Sequence, residues 1–223
     1  MATPNQNAKN KKRWPTKEVM NQIYEKNLWG GIEGDFYSGG GSHDLEMLTP
    51  YLTFVSNFLS SFKDRLVVCD LGCGDFNVGI QLVQYAEKYI GVDIVADLIA
   101  RNKAKFQSEN LAFHCLDICT DELPKADCVL VRQVMQHLSN AEIQSLLERL
   151  QQYAFLLVTE HLPNTPFIPN IDIITGQGTR LKKNSGVDLT AEPFCLKPKT
   201  VLQEIKVPVD ENSMICTTIY QNF

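Results

Sequence analysis

A strand-like apolar run passes into a glycine turn at Val67-Val-Cys-Asp-Leu-Gly-Cys-Gly-Asp75, and a helical pattern follows it. Such a turn places backbone N–H groups at a helix N-terminus, where they attract the negative end of a ligand. Open α/β sheets bind their ligands at the carboxyl ends of the strands. The motif therefore predicts an open α/β sheet with a ligand site at this turn. The residues expected in that site are Asp70, Gly72, Cys73, Gly74 and Asp75.

Strand-like runs alternate with helical patterns from residue 66 onward, which indicates a parallel sheet with crossover helices. The predicted strands are Leu66–Asp70, Tyr89–Asp93, Leu111–Cys115, Cys128–Arg132 and Phe155–Thr159. The predicted helices are Val78–Glu87, Asp97–Gln107 and Asn140–Gln152, the last beginning at a capping box formed by Ser139 and Glu142. Two late runs, Val201–Val207 and Met214–Gln221, have no helix between them and should pair as an antiparallel hairpin.

The segments around this core suggest one domain with appendages. Helical patterns at Thr16–Lys26 and from about Asp44 to Phe62 lie before the sheet, and Pro50 predicts a kink in the second. Residues 161–198 contain five prolines and three glycines with little periodicity, which predicts a long excursion over the sheet. We expect one domain over residues 16–223, with 16–62 as a helical lid, 66–160 as the core and 201–221 as the hairpin.

The charge of the chain is unevenly distributed. Residues 1–17 contain five bases and no acid, so the remainder has 16 bases against 26 acids, a net charge of −10. An acidic body argues against a nucleic-acid substrate held on a broad basic surface. Residues 1–15 are expected to be a disordered basic tail.

Composition indicates a cytoplasmic globular protein. No apolar run approaches the ~18 residues of a membrane span, and the N-terminus lacks the apolar segment of a signal peptide. The seven cysteines are an odd number scattered among apolar neighbours, so most should be small buried side chains. The pairs Cys69/Cys73 and Cys115/Cys119 lack the tight spacing of a zinc knuckle, and no metal site is assigned.

Acidic side chains end three successive predicted strands. Besides Asp70, these are Asp93 and Asp117, followed by Ile94 and Ile118. A dinucleotide fingerprint would need a third glycine where this chain has Asn77, and a pyrophosphate would be repelled by the acids. S-adenosylmethionine fits better, because it has an ammonium, a sulfonium and a single carboxylate small enough for the amides of the turn. In this hypothesis Asp93 accepts the ribose hydroxyls, and Asp117 accepts the adenine amino group while Ile118 contacts the ring.

The string Asp-Leu-Gly-Cys-Gly followed by Gly-Val-Asp resembles motifs I and II of class I methyltransferases, and other segments narrow the resemblance. They are Asn27-Leu-Trp-Gly, Tyr37-Ser-Gly-Gly-Gly-Ser42, Cys73-Gly-Asp-Phe-Asn77, Tyr89-Ile-Gly-Val-Asp-Ile94, Arg132 with His137-Leu-Ser139, and Asp172-Ile-Ile-Thr-Gly176. The chain is similar over about residues 20–180 to small bacterial class I methyltransferases with a Trp-Gly and Ser-Gly-x-Gly-Ser segment before the core. The resemblance implies S-adenosylmethionine as cofactor and a Rossmann-like, seven-stranded, mostly parallel sheet of order 3-2-1-4-5-7-6.

The same resemblance adds candidate residues on both sides of the site. The Gly-rich segment 29–43 is expected to cover the cofactor or to be a packed connection between two helices. Where the family tends to have Arg-Asp at the end of the fourth strand, this chain has Arg132-Gln133, so the acceptor side departs from the pattern. The further cofactor residues expected are Trp29, Tyr37, Ser42, Arg132 and Gln133.

A hydroxyl acceptor would need a general base, for which histidine is the natural candidate near pH 7. His137, about one helical turn beyond the tip of the fourth strand, is the first choice, and His161 is the second. His43 and an acceptor that needs no base are further alternatives. The resulting hypothesis is a methyltransferase acting on a small molecule or glycan, with O-methyl transfer favoured. The alternative is a non-catalytic S-adenosylmethionine-binding subunit; the sequence leaves the oligomeric state open.

Overall fold

The computed structural model describes residues 14–31 and 34–221. Most of the predicted tail over residues 1–15 therefore lies outside the described residues. The described chain forms a seven-stranded sheet with the order β3-β2-β1-β4-β5-β7-β6, as predicted. Strands β1 to β5 run parallel, whereas β7 pairs antiparallel with both β5 and β6.

The strand and helix boundaries follow the sequence pattern closely. The strands are β1 Val67–Leu71, β2 Lys88–Asp93, β3 Leu111–Cys115, β4 Cys128–Arg132, β5 Phe155–Pro163, β6 Thr200–Pro208 and β7 Ser213–Gln221. The helices are α1 Thr16–Glu25, α2 Leu45–Ser60, α3 Gly79–Leu82, α4 Ala96–Lys105 and α5 Asn140–Leu150. Short 3₁₀ turns lie at Gly40–Ser42, Val83–Tyr85, Met135–His137 and Arg180–Lys183. Among these described residues, no helix is long and apolar enough to cross a membrane.

The central strands of the sheet are buried on both faces, and β4 shows how alternation divides their side chains. Val129 and Val131 belong to the core cluster that includes residues of α1 and α5, whereas Cys128 and Leu130 belong to the cluster that includes residues of α2 and α3. Successive side chains of a strand point to opposite faces, so one short strand contributes to both layers. This two-sided burial is typical of parallel strands joined by crossover helices.

Two predicted boundaries were wrong. The helix predicted over Val78–Glu87 is reduced to α3 and a 3₁₀ turn, because the Asn110 amide binds the carbonyls of Val83 and Ala86 and the chain then enters β2. The fifth strand continues beyond Thr159, because β7 pairs with it along its whole length up to Pro163 opposite Ser213. That extension places residues 160 and 161 within the sheet.

The central strand provides a test of this packing. Leu130 is 1% exposed and Leu45 is 73% exposed. Leu130→Ala should lower the free energy of unfolding by about 2–5 kcal/mol, because it leaves a cavity in a closed core. Leu45→Ala should change it by no more than about 0.5 kcal/mol. Urea unfolding followed by circular dichroism measures both, and equal losses would contradict the two-layer core.

Candidate functional site

The carboxyl ends of four parallel strands open onto one cavity of about 330 Å³. Its wall includes most of the residues predicted for the cofactor, together with His137. The predicted residues in the wall are Trp29, Ser42, Asp70, Gly72, Cys73, Gly74, Asp93, Ile94, Asp117, Ile118, Arg132 and Gln133. Topology explains this convergence, since parallel strands present all their carboxyl ends at the same edge of the sheet.

The glycine turn after β1 is tied to β2. Gly72 has a φ of +75°, and a Cβ there would lie 2.4 Å from Val134, so glycine is required by both conformation and space. The backbone N–H groups of Gly72 and Cys73 donate to the Val92 carbonyl at 2.8 and 2.9 Å. The Gly74 N–H donates to Asp93 at 3.1 Å. These N–H groups, which the sequence predicts to receive the carboxylate of the ligand, thus donate to protein oxygens in this structure.

The three acids that end β1, β2 and β3 differ in how they are held. Asp70 accepts a hydrogen bond from the Tyr89 hydroxyl at 2.9 Å, and burial raises the pKa of Asp70 to about 6. Asp93 accepts backbone N–H groups on both oxygens, one of them from Val95 at 3.0 Å, and burial raises its pKa. Asp117 accepts the Cys119 N–H at 2.9 Å through one oxygen. The wall therefore combines three carboxylates within one largely apolar cavity.

Asp75 has a different role from the one predicted. It is not part of the cavity wall. Its side chain is buried and binds the Ser38 N–H at 2.8 Å and His43 Nε2 at 2.6 Å. In return, the Ser38 hydroxyl accepts the Asp75 N–H at 2.8 Å. Asp75 thus joins the glycine turn to the segment before α2.

That segment, residues 29–31 and 34–43 as described, contacts the core at several points. Trp29 packs edge-on against Tyr24, with ring centroids 5.3 Å apart, and lies 5.1 Å from the His137 ring. Tyr37, which the sequence predicts to contact the cofactor, stacks on His43 at 4.4 Å and lies outside the cavity wall. The stacking on His43 holds the phenol ring outside the wall.

Polar contacts reinforce this attachment. Arg101 donates to both oxygens of Asp35 at 2.8 and 2.6 Å, and this contact holds the Asp35 pKa well below its usual range. Gln177 donates to the Leu28 carbonyl at 2.5 Å, and Asn77 donates to the Ser42 carbonyl at 2.7 Å. The segment is therefore a packed wall of the cavity in this structure.

A cationic group lies at one end of the cavity. Arg132 donates to the Gly41 carbonyl at 2.5 Å and to the Ser42 hydroxyl at 3.3 Å, and its guanidinium lies 4.9 Å from the centroid of the Tyr51 ring. Its Nε is buried and has no protein partner among the described residues. Burial lowers the Arg132 pKa. Gln133 follows with a φ of +54°, and its N–H donates to the Thr159 carbonyl at 2.6 Å.

His137 lies in the wall next to Trp29. Its Nδ1 is 3.2 Å from the Gly176 carbonyl, which can only accept, so Nδ1 carries a proton and Nε2 has the lone pair in the neutral ring. The Gln136 amide lies 3.2 Å from that Nε2. Burial lowers the His137 pKa to about 4. The imidazole is therefore neutral near pH 7 but weakly basic in this arrangement.

His161, the second predicted base, is not brought to the cavity. It lies within β5 opposite Ile215 in β7, and it is absent from the cavity wall. Its Nε2 is buried without a partner among the described residues, and burial lowers its pKa. The pairing of β5 with β7 beyond Thr159 is what holds His161 inside the sheet.

Sequence analysis missed several residues of the site. Tyr51 enters the wall from the amphipathic helix α2, where its position fits an ordinary core residue. Thr16 and Met20 enter from α1, and Gln177 and Thr179 enter from the excursion after β5. No local motif marks these residues, because only tertiary packing brings α1 and the excursion to this edge.

The cysteines do not form a metal centre in the described part of the chain. All seven are free, and Cys69 and Cys119 are buried. Among residues 14–31 and 34–221, no group of three or more His, Cys, Asp or Glu is placed to hold a metal ion. Burial raises the pKa of the Cys69 and Cys119 thiols to about 12, so these two thiols are protonated near pH 7.

The sheet order, the glycine turn and the acid-lined cavity at the strand ends are those of a Rossmann-like α/β fold with a ligand site at the carboxyl edge of its sheet. Residues 68–154 match the family model described as a methyltransferase domain, and this stretch includes β1 to β4 and α5. No curated protein matches the chain in sequence.

Solved structures share the whole architecture at low identity. The N-methyltransferase NodS from Bradyrhizobium japonicum WM9, in complex with S-adenosyl-L-homocysteine, has a TM-score of 0.64 and 12% identity over 91% of this chain and 98% of that one. Magnesium protoporphyrin IX methyltransferase from Synechocystis PCC 6803, with bound SAM, has a TM-score of 0.59 and 16% identity over 93% and 98%. The [4+2]-cyclase SpnF has a TM-score of 0.63 and 12% identity over 94% and 98%. These similarities establish the fold.

The buried imidazole predicts a pH dependence of stability. The unfolded chain binds a proton at His137 with a pKa of about 6.5, whereas the folded pKa is about 4. The His137 contribution to stability should therefore fall as the pH drops from about 6.5 towards 4, whereas the raised pKa values of Asp70 and Glu160 contribute in the opposite direction. His137→Asn removes only the imidazole titration, so its unfolding free energy relative to the parent should rise as the pH drops over that range. Urea titrations at several pH values measure how the unfolding free energy changes with pH.

His114→Asn, at an exposed position, is the control and should keep the pH dependence of the parent. The same pH dependence in His137→Asn as in the parent would contradict a lowered pKa of His137 in the folded protein.

Proposed function

We propose that this protein is an S-adenosylmethionine-dependent methyltransferase that acts on a small-molecule acceptor. The observation that carries the proposal is the single cavity in which Asp70, Asp93 and Asp117 line the ends of three adjacent strands beside the glycine turn. Carboxylates in a largely apolar cavity favour a ligand with cationic groups and several hydrogen-bond donors. The methyltransferase domain match over residues 68–154 supports the same function.

The cofactor can be oriented by matching its groups to the wall. Asp93 would accept the ribose hydroxyls, and Asp117 would accept the adenine amino group beside Ile118. Asp70 would face the methionine ammonium. Arg132 is the cation available for the methionine carboxylate, because the amides of the turn are used by the protein and the buried Nε of Arg132 is unpartnered. Neighbours of the same fold carry SAM or S-adenosyl-L-homocysteine, which supports this cofactor.

The bound cofactor supplies an electrophilic methyl group on a sulfonium. The protein must then align the acceptor and keep water away from the reacting atoms. Trp29 and Tyr24 close one side of the cavity with aromatic surface, and Met20 and Leu138 add apolar contacts. The low polarity of this wall also favours a reaction in which a cationic donor becomes neutral.

Oxygen is the acceptor atom that we favour, on a small molecule or a glycan. His137 supports this choice, since its neutral ring has a lone pair on Nε2 at the cavity wall. Nε2 lies 3.2 Å from the Gln136 amide. An acceptor hydroxyl would have to take the place of that amide, and its proton would then pass to Nε2. His137 is thus the proposed base.

A binding subunit without transfer activity is the second candidate. SpnF has this fold and is described as a cyclase, so the fold alone does not decide the reaction. The two candidates differ in one observable. A methyltransferase transfers label from radiolabelled S-adenosylmethionine to compounds in small-molecule, glycan or protein extracts, whereas a binding subunit shows affinity for the cofactor and no transfer.

The ribose assignment predicts a loss of cofactor affinity. Asp93→Ala should weaken S-adenosylmethionine binding by about 1.5–3 kcal/mol, the range for hydrogen bonds to a charged group. Calorimetry on the folded variant measures this change. Asp97→Ala, an exposed acid four residues later, should bind like the parent. Unchanged affinity in a folded Asp93→Ala protein would rule out the assignment.

The base assignment predicts a loss of turnover without a loss of cofactor affinity. His137→Ala should reduce kcat about 10²-fold or more, the usual contribution of a general base. His114→Ala, at an exposed position on β3, is the matched control and should keep parental turnover. Near-normal turnover of His137→Ala on its own acceptor would show that another group, or no group, takes the proton.

A further inference from the structure

The wall residues Gln136 and His137 lie on a 3₁₀ turn, Met135–His137, between the tip of β4 and α5. Such a turn has few hydrogen bonds of its own and poorer hydrogen-bond geometry than an α-helix. Here the His137 N–H donates to Val134 and the Leu138 N–H donates to Met135, each at 3.0 Å. The remaining backbone groups of the turn need partners from elsewhere, because unpaired buried peptide groups are costly.

Glu160 provides the partner at the N-terminal end of the turn. It lies near the carboxyl end of β5 and is 2% exposed. One carboxyl oxygen accepts the Met135 N–H at 3.1 Å, and the other has no partner among the described residues. Burial raises the Glu160 pKa to about 8, and the backbone N–H groups of Gln136 and Met135 oppose that rise.

Arg180 provides the partners at the C-terminal end. It lies in the excursion after β5 and is 1% exposed. Its Nη1 donates to the carbonyls of Met135 at 3.2 Å and Gln136 at 3.4 Å, and its Nη2 donates to the Leu138 carbonyl at 2.8 Å. The other contacts of the guanidinium are with Asn140 Oδ1 at 2.7 Å and the Ile171 carbonyl at 3.0 Å. The guanidinium thus donates to backbone carbonyls on both sides of His137.

The two side chains match the polarity of the turn. A carboxyl group faces N–H groups at its start and a guanidinium faces carbonyl groups at its end, which is the favourable arrangement for a helical segment. Within residues 14–31 and 34–221 neither side chain forms a salt bridge, so each is held mainly by peptide groups. Burying such groups is costly, and apolar residues of similar size often stabilise a core equally well. Their contacts point to a role in fixing this backbone.

We propose that Glu160 and Arg180 are positioning residues that together fix the Met135–His137 turn and so aim Gln136 and His137 into the cavity. Arg180 also joins the excursion to the wall, because its Nε and Nη groups bind backbone on both. The proposal concerns the geometry of the wall, and its catalytic consequence rests on the proposed function of His137.

The test follows the His137 imidazole by NMR together with turnover and S-adenosylmethionine affinity, in the full chain. Arg180→Met should move the His137 pKa upward, towards its ordinary value of about 6.5, because a nearby positive charge is lost and water gains access. Where an acceptor is in hand, kcat should fall roughly 10- to 100-fold through misplacement of the wall. Cofactor affinity should stay close to that of the parent.

Matched variants separate positioning from general stability. Glu160→Gln keeps an acceptor for the Met135 N–H and should preserve the parent imidazole signal, whereas Glu160→Leu should shift it. Arg149 also donates to backbone carbonyls, those of Cys119 and Asp121, but away from the turn. Arg149→Met should therefore affect stability and leave the imidazole signal unchanged. If Arg180→Met does not fold, Arg180→Lys replaces it, since one ammonium cannot reach all the carbonyls.

The outcomes distinguish this inference from the proposed function. A parent-like His137 titration in folded Arg180→Met or Arg180→Lys, or in Glu160→Leu, would overturn the positioning role. A shifted titration with unchanged turnover would keep the positioning role and would reject His137 as the base. Equal shifts in Arg149→Met would also overturn the proposal, since they would show a general effect of destabilisation.

Discussion

The attachment of the glycine turn to β2 is the constraint on which the site depends. Two successive N–H groups, those of Gly72 and Cys73, donate to the single carbonyl of Val92. The left-handed backbone at Gly72 makes this possible, and Asn102 holds the following turn through the Gly74 carbonyl at 2.7 Å. The turn is therefore held in place by hydrogen bonds within the protein, and the acids at the strand ends lie around it. Preformed geometry of this kind reduces what a ligand must order on binding.

The charged side chains around the turn determine which ligands the cavity favours. Asp70 and Asp93 are buried at the ends of adjacent strands, and Arg132 supplies positive charge at one end of the same cavity. A ligand with a cationic centre and one carboxylate complements both signs. The segment before α2 is held to the core through Asp75 and Asp35, two acids that bind protein groups and lie outside the cavity wall. The sequence alone does not distinguish these two groups of acids. Asp70 and Asp93 line the cavity, whereas Asp75 and Asp35 connect the segment before α2 to the core.

Particular residues show how much of the candidate site could be predicted from the sequence. Asp93 and Asp117 could be placed because each follows or ends a strand. Parallel strands have all their carboxyl ends at the same edge of the sheet, so these acids had to lie near one another. Tyr37 and His161 could not be placed, because their neighbours come from other parts of the chain: His43 in one case and the paired strand β7 in the other. Glu160 and Arg180 carried no motif at all. Their importance depends on contacts with a turn 25 and 45 residues away in sequence.

The sequence by itself determined the strands, the position of the glycine turn and the three acids at the strand ends, because periodicity and local turn chemistry are short-range properties. The sheet order was implied by the resemblance to a known family. Only the tertiary structure decided which polar groups remain available to a ligand. It showed that the amides of the turn donate to protein oxygens, that Asp75 binds protein groups, that His161 lies outside the cavity wall, and that Arg132 and His137 border the cavity. The physical reason is that the hydrogen-bond partners of these groups come from segments that are distant in sequence. Local sequence patterns do not show which distant segments pack together.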